Sequence, residues 1–263
     1  MLLENKNAVI YGAGGGLGRG VARTFAREGA RVFLAGRTRE TLEAVAADVT
    51  AAGGSAEVAV VDALDEQAVE EHAGAVVAQA GSIDVSFNLV ARGDVQGTPL
   101  VDMTATDLTG AVTTGLLANF HTARAAARHM IRQGSGVILT VTSGSAKGAA
   151  PLMGSTGPAD AATEAFLRYL AAEIGQHGVR VLSLYTAGVP ETLSPENIAA
   201  VNPNLKLDAA ALEQMLAGMA QMTMLRRAPS LAQVADTAAF LASDRAGGIT
   251  GTIVNVTCGL VPA

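Results

Sequence analysis

The chain opens with an apolar, strand-like run, Ala8–Tyr11, that passes through a glycine-rich turn into a helix-patterned segment. Glycine suits such a turn because its backbone adopts conformations that are costly for other residues, and because a side chain would block the approach of a pyrophosphate. The following helix would offer unpaired N–H groups and a positive dipole end to that phosphate. The segment therefore predicts a dinucleotide-binding turn, with an ordinary flexible loop as the alternative. The candidate contacts are Gly12, Gly14, Gly15, Gly16, Leu17 and Gly18.

Short apolar runs alternate with longer helical patterns along the rest of the chain. This alternation predicts parallel strands joined by helices, and an α/β doubly wound parallel sheet of about seven strands with helices on both faces. Thr104 and Ser230 are predicted to cap two of the helices. The predicted strands are 7–11, 31–35, 57–61, 83–88, 136–142, 179–185 and 252–256.

Composition narrows the class of protein. The 263 residues are 49% hydrophobic and contain no linker-like stretch, so we expect one Rossmann-like domain over residues 1–263. A net charge of -6 disfavours nucleic acid as a partner. The single cysteine, Cys258, and the lack of a signal-peptide pattern or a long apolar span lead us to expect a cytoplasmic protein without membrane contact. The four histidines have no metal-ligand spacing, so no metal is expected.

The end of the second predicted strand indicates which dinucleotide is bound. An acidic residue there would hold the ribose 2'-hydroxyl of NAD, but Gly36 takes that position and Arg37 follows it. A guanidinium suits the 2'-phosphate of NADP, so NADP is favoured over NAD, with a solvated surface arginine as the alternative. Asp62 and Ala63 close the third strand, where an acid could reach the adenine.

These motifs together resemble the short-chain dehydrogenase/reductase family, from residue 5 to nearly the end of the chain. The family's Thr-Gly-x-x-x-Gly-x-Gly turn corresponds to residues 11–18, and its acid-plus-small pair to Asp62-Ala63. The resemblance implies a Rossmann fold, cofactor contacts at Asn88 and Val90 in place of the family's Asn-Asn-Ala-Gly stretch, and a substrate lid over about residues 189–229. It also implies a homotetramer or dimer that pairs the long helices 104–132 and 156–176.

The resemblance fails at the catalytic residues. The family serine corresponds to Ser143, but the tyrosine of the Tyr-x-x-x-Lys pair is replaced by Thr156 and the lysine by Asp160. The family asparagine of the long helix corresponds to Gly115. A threonine hydroxyl is a far weaker acid than tyrosine. Since general acid–base catalysis contributes about 10²- to 10⁴-fold, ordinary carbonyl reduction needs another proton source here.

Three residues could replace the missing groups. Tyr185 ends the sixth strand, Lys147 lies four residues after Ser143, and Arg92 follows the Asn88 segment. The alternatives are a packed strand-end tyrosine, a solvated lysine and a surface arginine. Asp160 could accept hydrogen bonds from ribose hydroxyls, or cap or solvate the start of its helix. The candidate catalytic residues are Ser143, Thr156, Asp160 and Tyr185.

The predicted function is that of an NADP(H)-binding oxidoreductase with a degenerate active site and a small-molecule substrate. The alternatives are a non-catalytic cofactor-binding partner protein, and a lyase or isomerase that uses the old pocket without hydride transfer. A stripe of leucine and methionine in the lid, such as Met215 and Met219, predicts core packing, or an adaptable pocket for an apolar substrate.

Overall fold

A computed structural model describes residues 1–148 and 151–261. The strands are β1 (Asn7–Tyr11), β2 (Arg31–Gly36), β3 (Ser55–Val60), β4 (Val85–Asn88), β5 (Gly136–Ser143), β6 (Val179–Thr186) and β7 (Thr252–Val256). The helices are α1 (Gly16–Arg27), α2 (Arg39–Ala51), α3 (Glu66–Ala80), α4 (Ala105–Gln133), α5 (Thr156–Ile174), α6 (Pro195–Val201), α7 (Ala209–Met222) and α8 (Leu231–Ala242).

The seven strands form one parallel sheet in the order β3-β2-β1-β4-β5-β6-β7. This confirms the predicted doubly wound α/β fold. The chain order reverses between β1 and β4, so their carboxyl ends frame the crevice in which such sheets bind ligands. The glycine turn follows β1 and Asn88 ends β4, which places both at this crevice.

The sheet is covered on both faces, because its strands carry apolar side chains on both sides. One layer packs around Phe25 and Leu42 of α1 and α2, together with residues of α8. The other packs around Val69, Met130 and Leu167 of α3, α4 and α5. The two layers hold the carboxyl edge of the sheet in place for the loops that form the site.

Both predicted helix caps are confirmed. The Thr104 hydroxyl accepts a hydrogen bond from the Asp107 N–H at 3.1 Å, and Ser230 forms a reciprocal capping box with Gln233. Within the described residues, no helix has the length and hydrophobicity that a membrane crossing requires.

The segment between β6 and α8 carries α6 and α7. The sequence did not predict α6, a seven-residue helix that starts at a proline and is capped by Ser194. The prediction that the lid stripe packs into the core is wrong, because no residue of α7 is buried. The reason is that α7 lies over the carboxyl edge of the sheet, where the side chains of Met219 and Met222 line a cavity.

A polar contact lies between β1 and α3. Tyr11 is buried, and its hydroxyl lies 3.3 Å from Nδ1 of His72, with the two rings edge to face. Burial lowers the pKa of His72 from 6.5 to about 4, so the neutral ring is the folded form over most of the pH range. A neutral Nδ1 can accept the tyrosine proton.

We predict that this histidine makes the fold sensitive to acid. Below pH 6.5 His72 binds a proton in the unfolded chain, whereas in the folded chain it stays neutral down to about pH 4. Stability present above pH 6.5 is therefore lost as the pH falls to about 4, by up to about 3 kcal/mol. Urea unfolding measures the free energy of unfolding at each pH in this range. That free energy should fall toward low pH with the same slope for the native chain and for His177→Gln, which changes an exposed histidine. The slope should be flatter for His72→Gln. Equal slopes would contradict the prediction.

Candidate active site

The glycine turn after β1 needs several of its glycines for steric reasons. Gly12 has φ +78°, and a Cβ on it would lie 2.5 Å from the Leu89 carbonyl oxygen. A Cβ on Gly18 would lie 2.5 Å from the Gly12 carbonyl oxygen, and one on Gly14 would strike the Thr41 hydroxyl. The turn is therefore packed tightly against the loop after β4 and against α1 itself.

Gly15 differs from these glycines, because the space beside it is open. The nearest atom to a Cβ there would be the Gly12 carbonyl oxygen, at an ordinary 3.6 Å. Gly15 is the N-cap of α1, yet no side chain caps this helix and no acidic residue lies in its first turn. The N-terminus of α1 thus borders open space at Gly15, which fits a phosphate group.

A cleft of about 260 Å³ runs from this turn along the carboxyl ends of β1, β2 and β3. Arg37 lines it with an exposed side chain and makes no ion pair with any described residue, whereas Arg39 pairs with Glu43 at 3.6 Å. Asp62 accepts a hydrogen bond from the Leu64 N–H at 3.0 Å. The predicted cofactor residues that line this cleft are Gly12, Gly14, Gly15, Arg37, Asp62, Ala63 and Val90.

The remaining predicted cofactor residues lie outside this cleft. A Cβ on Gly16 would touch the Thr192 side chain at 3.0 Å, and Gly18 is buried in the turn. Leu17 and Asn88 line a second, larger cavity. Asn88 donates to the Thr122 hydroxyl at 3.0 Å and accepts from the Val90 N–H at 2.9 Å. Its amide therefore holds the loop after β4 in position.

The second cavity, of about 760 Å³, adjoins the cleft and shares the lining residues Leu89, Val90 and Ala91 with it. Its walls come from the ends of β4, β5 and β6, from α4 and α5, and from α7 of the lid. Most of its lining is apolar. Its charged lining residues, within the described part of the chain, are Arg92, Asp94 and Asp160.

A buried ion pair occupies the centre of the expected catalytic site. The Asp160 side chain is fully buried, and its Oδ1 accepts from Arg92 Nη1 at 2.5 Å. Its Oδ2 accepts from the Ser143 hydroxyl at 2.6 Å and from the Ser143 N–H at 3.1 Å. The alternative in which Asp160 solvates or caps the start of its helix is wrong, because the carboxylate is fully buried and accepts from Arg92 and Ser143 instead.

Arg92 is held by a second acid as well. Its Nε donates to Asp94 Oδ1 at 2.7 Å and its Nη2 donates to Asp94 Oδ2 at 3.1 Å. Burial by itself would lower the pKa of Arg92, but the hydrogen bonds and charges of Asp94 and Asp160 outweigh it and raise that pKa. The surface-charge alternative for Arg92 is therefore wrong, since its side chain is only 16% exposed. The guanidinium is permanently charged and cannot act as an acid.

Gly115 makes room for this arrangement. A Cβ at this position would lie 2.9 Å from Arg92 Cδ, so the asparagine that the family resemblance leads one to expect does not fit beside the arginine. Sequence reasoning missed this link. Part of the signal was present, because Gly115 and Asp160 both stand where the family resemblance leads one to expect other residues, but only the fold brings them together with Arg92.

Ser143 and Thr156 face the cavity, but their hydroxyl groups are engaged. The Ser143 oxygen donates its one proton to Asp160 and accepts from the Ser145 N–H at 3.2 Å. Thr156 begins α5, is buried, and accepts a hydrogen bond from Gln96 Nε2 at 3.0 Å. Gln96, which sequence reasoning also missed, lines the cavity.

Tyr185 and Lys147 lie apart from this group. Tyr185 is buried and is not among the residues that line the cavity. Burial raises the pKa of its hydroxyl, and the neighbouring Glu164 carboxylate raises it further. Lys147 is exposed, and its ammonium lies 5.8 Å from the centre of the Tyr185 ring. No three His, Cys, Asp or Glu side chains among the described residues are grouped to hold a metal ion.

Comparison with known proteins places these features in a family. The sequence profile described as Enoyl-(Acyl carrier protein) reductase matches residues 12–261. A 7alpha-hydroxysteroid dehydrogenase of Escherichia coli is 28% identical over 257 residues, covering 98% of this chain and 94% of that protein. A 1,6-dihydroxycyclohexa-2,4-diene-1-carboxylate dehydrogenase of Acinetobacter baylyi is 31% identical over 263 residues, covering 96% and 95%.

The fold comparison agrees with the sequence comparison. The crystal structure of an NAD+-bound xylitol dehydrogenase is similar with a TM-score of 0.86 at 25% identity, covering 98% of this chain and 100% of that one. The chain therefore belongs to the short-chain dehydrogenase/reductase family.

Proposed function

We propose that this chain is an NADP(H)-dependent oxidoreductase that acts on a small molecule in the larger cavity, without the tyrosine and lysine of its relatives. The observation that carries this proposal is the junction of the two spaces. The cleft with the uncapped α1 N-terminus opens at Leu89, Val90 and Ala91 into the cavity that Ser143 lines. A dinucleotide lying in the cleft would thus direct its reactive end toward a substrate space.

The residues of the cleft have distinct tasks in this proposal. Gly15 and the first N–H groups of α1 bind the pyrophosphate, Arg37 binds the 2'-phosphate, and Asp62 lies near the adenine. The bound nicotinamide supplies or accepts a hydride. Because Arg37 has no competing ion pair among the described residues, its guanidinium is available for a phosphate.

We predict that Arg37→Ala weakens binding of NADPH by about 10- to 100-fold and leaves binding of NADH nearly unchanged, since only NADPH carries the phosphate that the guanidinium would bind. Calorimetric titration of both nucleotides measures this. Arg39→Ala is the matched control, because that arginine is also exposed but is paired with Glu43. Equal loss for both nucleotides, or an equal effect of both variants, would contradict the assignment of Arg37.

The side chains of the cavity limit how a substrate can receive a proton. Ser143 has no second proton to offer a substrate, and Arg92 keeps one N–H on each terminal nitrogen beyond its bonds to Asp160 and Asp94. These N–H groups cannot transfer a proton, because the guanidinium stays charged. The substrate must therefore bring its own proton, exchange it with water, or need none.

A second candidate function is a cofactor-binding protein without turnover. The observation that favours it is the closed hydrogen-bond network of Asp160, which engages the only family catalytic residue that remains, Ser143. This candidate predicts that NADPH binds and raises the unfolding temperature, while a panel of carbonyl, enone and imine compounds oxidises no NADPH. Oxidation with any member of the panel would exclude it.

We predict that restoring the family residues works only if Arg92 is also removed. Gly115→Asn would strike Arg92, and Asp160→Lys would place a second cation beside it, so the triple variant with Thr156→Tyr should remain inactive as a carbonyl reductase. Adding Arg92→Ala relieves both conflicts. The fourfold variant should then exceed the native rate of ketone reduction by about 10²- to 10⁴-fold, measured as NADPH oxidation. An active triple variant would contradict this account.

The surface formed by α4 and α5 supports a proposal on how the chain assembles. Leu117, Phe120 and Tyr169 are exposed apolar side chains on α4 and α5, the helices that the resemblance pairs between subunits. We propose a homotetramer or dimer through this face, in a cytoplasmic protein with neither nucleic acid nor membrane as a partner.

A further inference from the structure

The formal charges of the residues that line the substrate cavity do not sum to zero. The described lining contains one cation, Arg92, and two carboxylates, Asp94 and Asp160. Both carboxylates contact the same guanidinium, at 2.7 Å and 2.5 Å. The group therefore carries one net negative charge.

Water screens this charge less than it would screen a charge on the protein surface. The Asp160 side chain is fully buried, and those of Arg92 and Asp94 are each 16% exposed. Lys147, which follows β5, is exposed and packs toward Tyr185 rather than lining the cavity. In such a partly enclosed space a charge interacts with a ligand more strongly than it would in bulk water.

We propose that the cavity selects an organic cation, namely a protonated amine or the corresponding iminium ion, as its substrate class. A carboxylate substrate would meet the net negative charge, and a neutral ketone would lack a proton donor. This inference rests on the proposed function, because it names the substrate of the same site.

The reaction of such a substrate fits the residues that are present. An iminium carbon that gains a hydride from the reduced nicotinamide becomes the carbon of a neutral amine. The electron pair of the C=N π bond moves to nitrogen, whose proton is already in place, so no acid is needed. In the reverse direction a bound ammonium ion first releases one proton to water, and the resulting neutral amine loses a hydride to the oxidised nicotinamide and becomes the iminium cation, which Asp94 and Asp160 stabilise through their charge.

The lid offers a suitable apolar surface for the rest of such a molecule. Met219 and Met222 of the lid line the cavity, and Met153, which precedes α5, lines it as well. Methionine side chains are flexible and polarizable, and they adapt to irregular apolar groups. A hydrophobic amine would place its nitrogen toward the acids and its carbon skeleton toward these methionines.

The test uses three probes of one shape: benzylammonium, benzyl alcohol and benzoate. Their dissociation constants are measured by calorimetry on the full chain. Benzylammonium should bind about tenfold more tightly than benzyl alcohol, and benzoate should bind most weakly, because one unit of charge separates each pair. Equal binding of the ammonium and the alcohol, or tighter binding of benzoate, would overturn the inference.

Variants test whether the acids cause the preference. Asp94→Asn should remove most of the tenfold preference, and Asp94→Glu should keep it. Asp102→Asn is the matched control, because it changes the same charge at an exposed position outside the cavity. Equal effects of Asp94→Asn and Asp102→Asn would overturn the inference. If Asp94→Asn does not fold, the three probes on the native chain still decide it.

A separate titration distinguishes this inference from the proposed function. A chain that binds NADPH but shows no preference for benzylammonium overturns the inference alone. A chain that prefers benzylammonium but binds neither NADPH nor NADH overturns the proposed function alone.

Discussion

The ion pair between Arg92 and Asp160 is the interaction on which the rest of the site depends. The pair places Asp160 where the family resemblance implies a lysine, and its carboxylate accepts hydrogen bonds from the hydroxyl and the N–H of Ser143. It also requires Gly115, because any side chain there would strike the arginine. Arg92, Asp160 and Gly115 therefore form one coupled arrangement, in which the residue at each position constrains the residues at the other two.

A buried ion pair stabilises the fold only while both partners are present. Removing one partner of a buried ion pair leaves an uncompensated charge and typically costs about 3–5 kcal/mol. Asp94 lessens that cost for Arg92, since it accepts from two guanidinium nitrogens. The same geometry that stabilises the site makes the charge of the cavity negative where the resemblance implies a lysine.

Local patterns predicted most of the fold. The strands, the glycine turn and the caps at Thr104 and Ser230 follow from hydrophobic periodicity and from hydrogen bonds between near neighbours, and neither needs tertiary information. The lid was predicted less well. The stripe that includes Met219 has the spacing of a core helix, and periodicity cannot distinguish packing against the protein core from lining a cavity. The short helix α6 was also not predicted from the sequence, because seven residues give too few turns for a periodic signal.

The sequence by itself determined the fold class and the family, and it has Thr156 and Asp160 where the resemblance implies a tyrosine and a lysine. Those properties depend on residue identity and on spacing along a single strand or helix. Only the tertiary structure decided what replaced the missing groups. Arg92, Gly115 and Asp160 lie on a loop and two different helices, and nothing in their separation along the chain indicates that they touch. Their contact exists because the parallel strands bring the β4 loop, α4 and α5 to the same edge of the sheet.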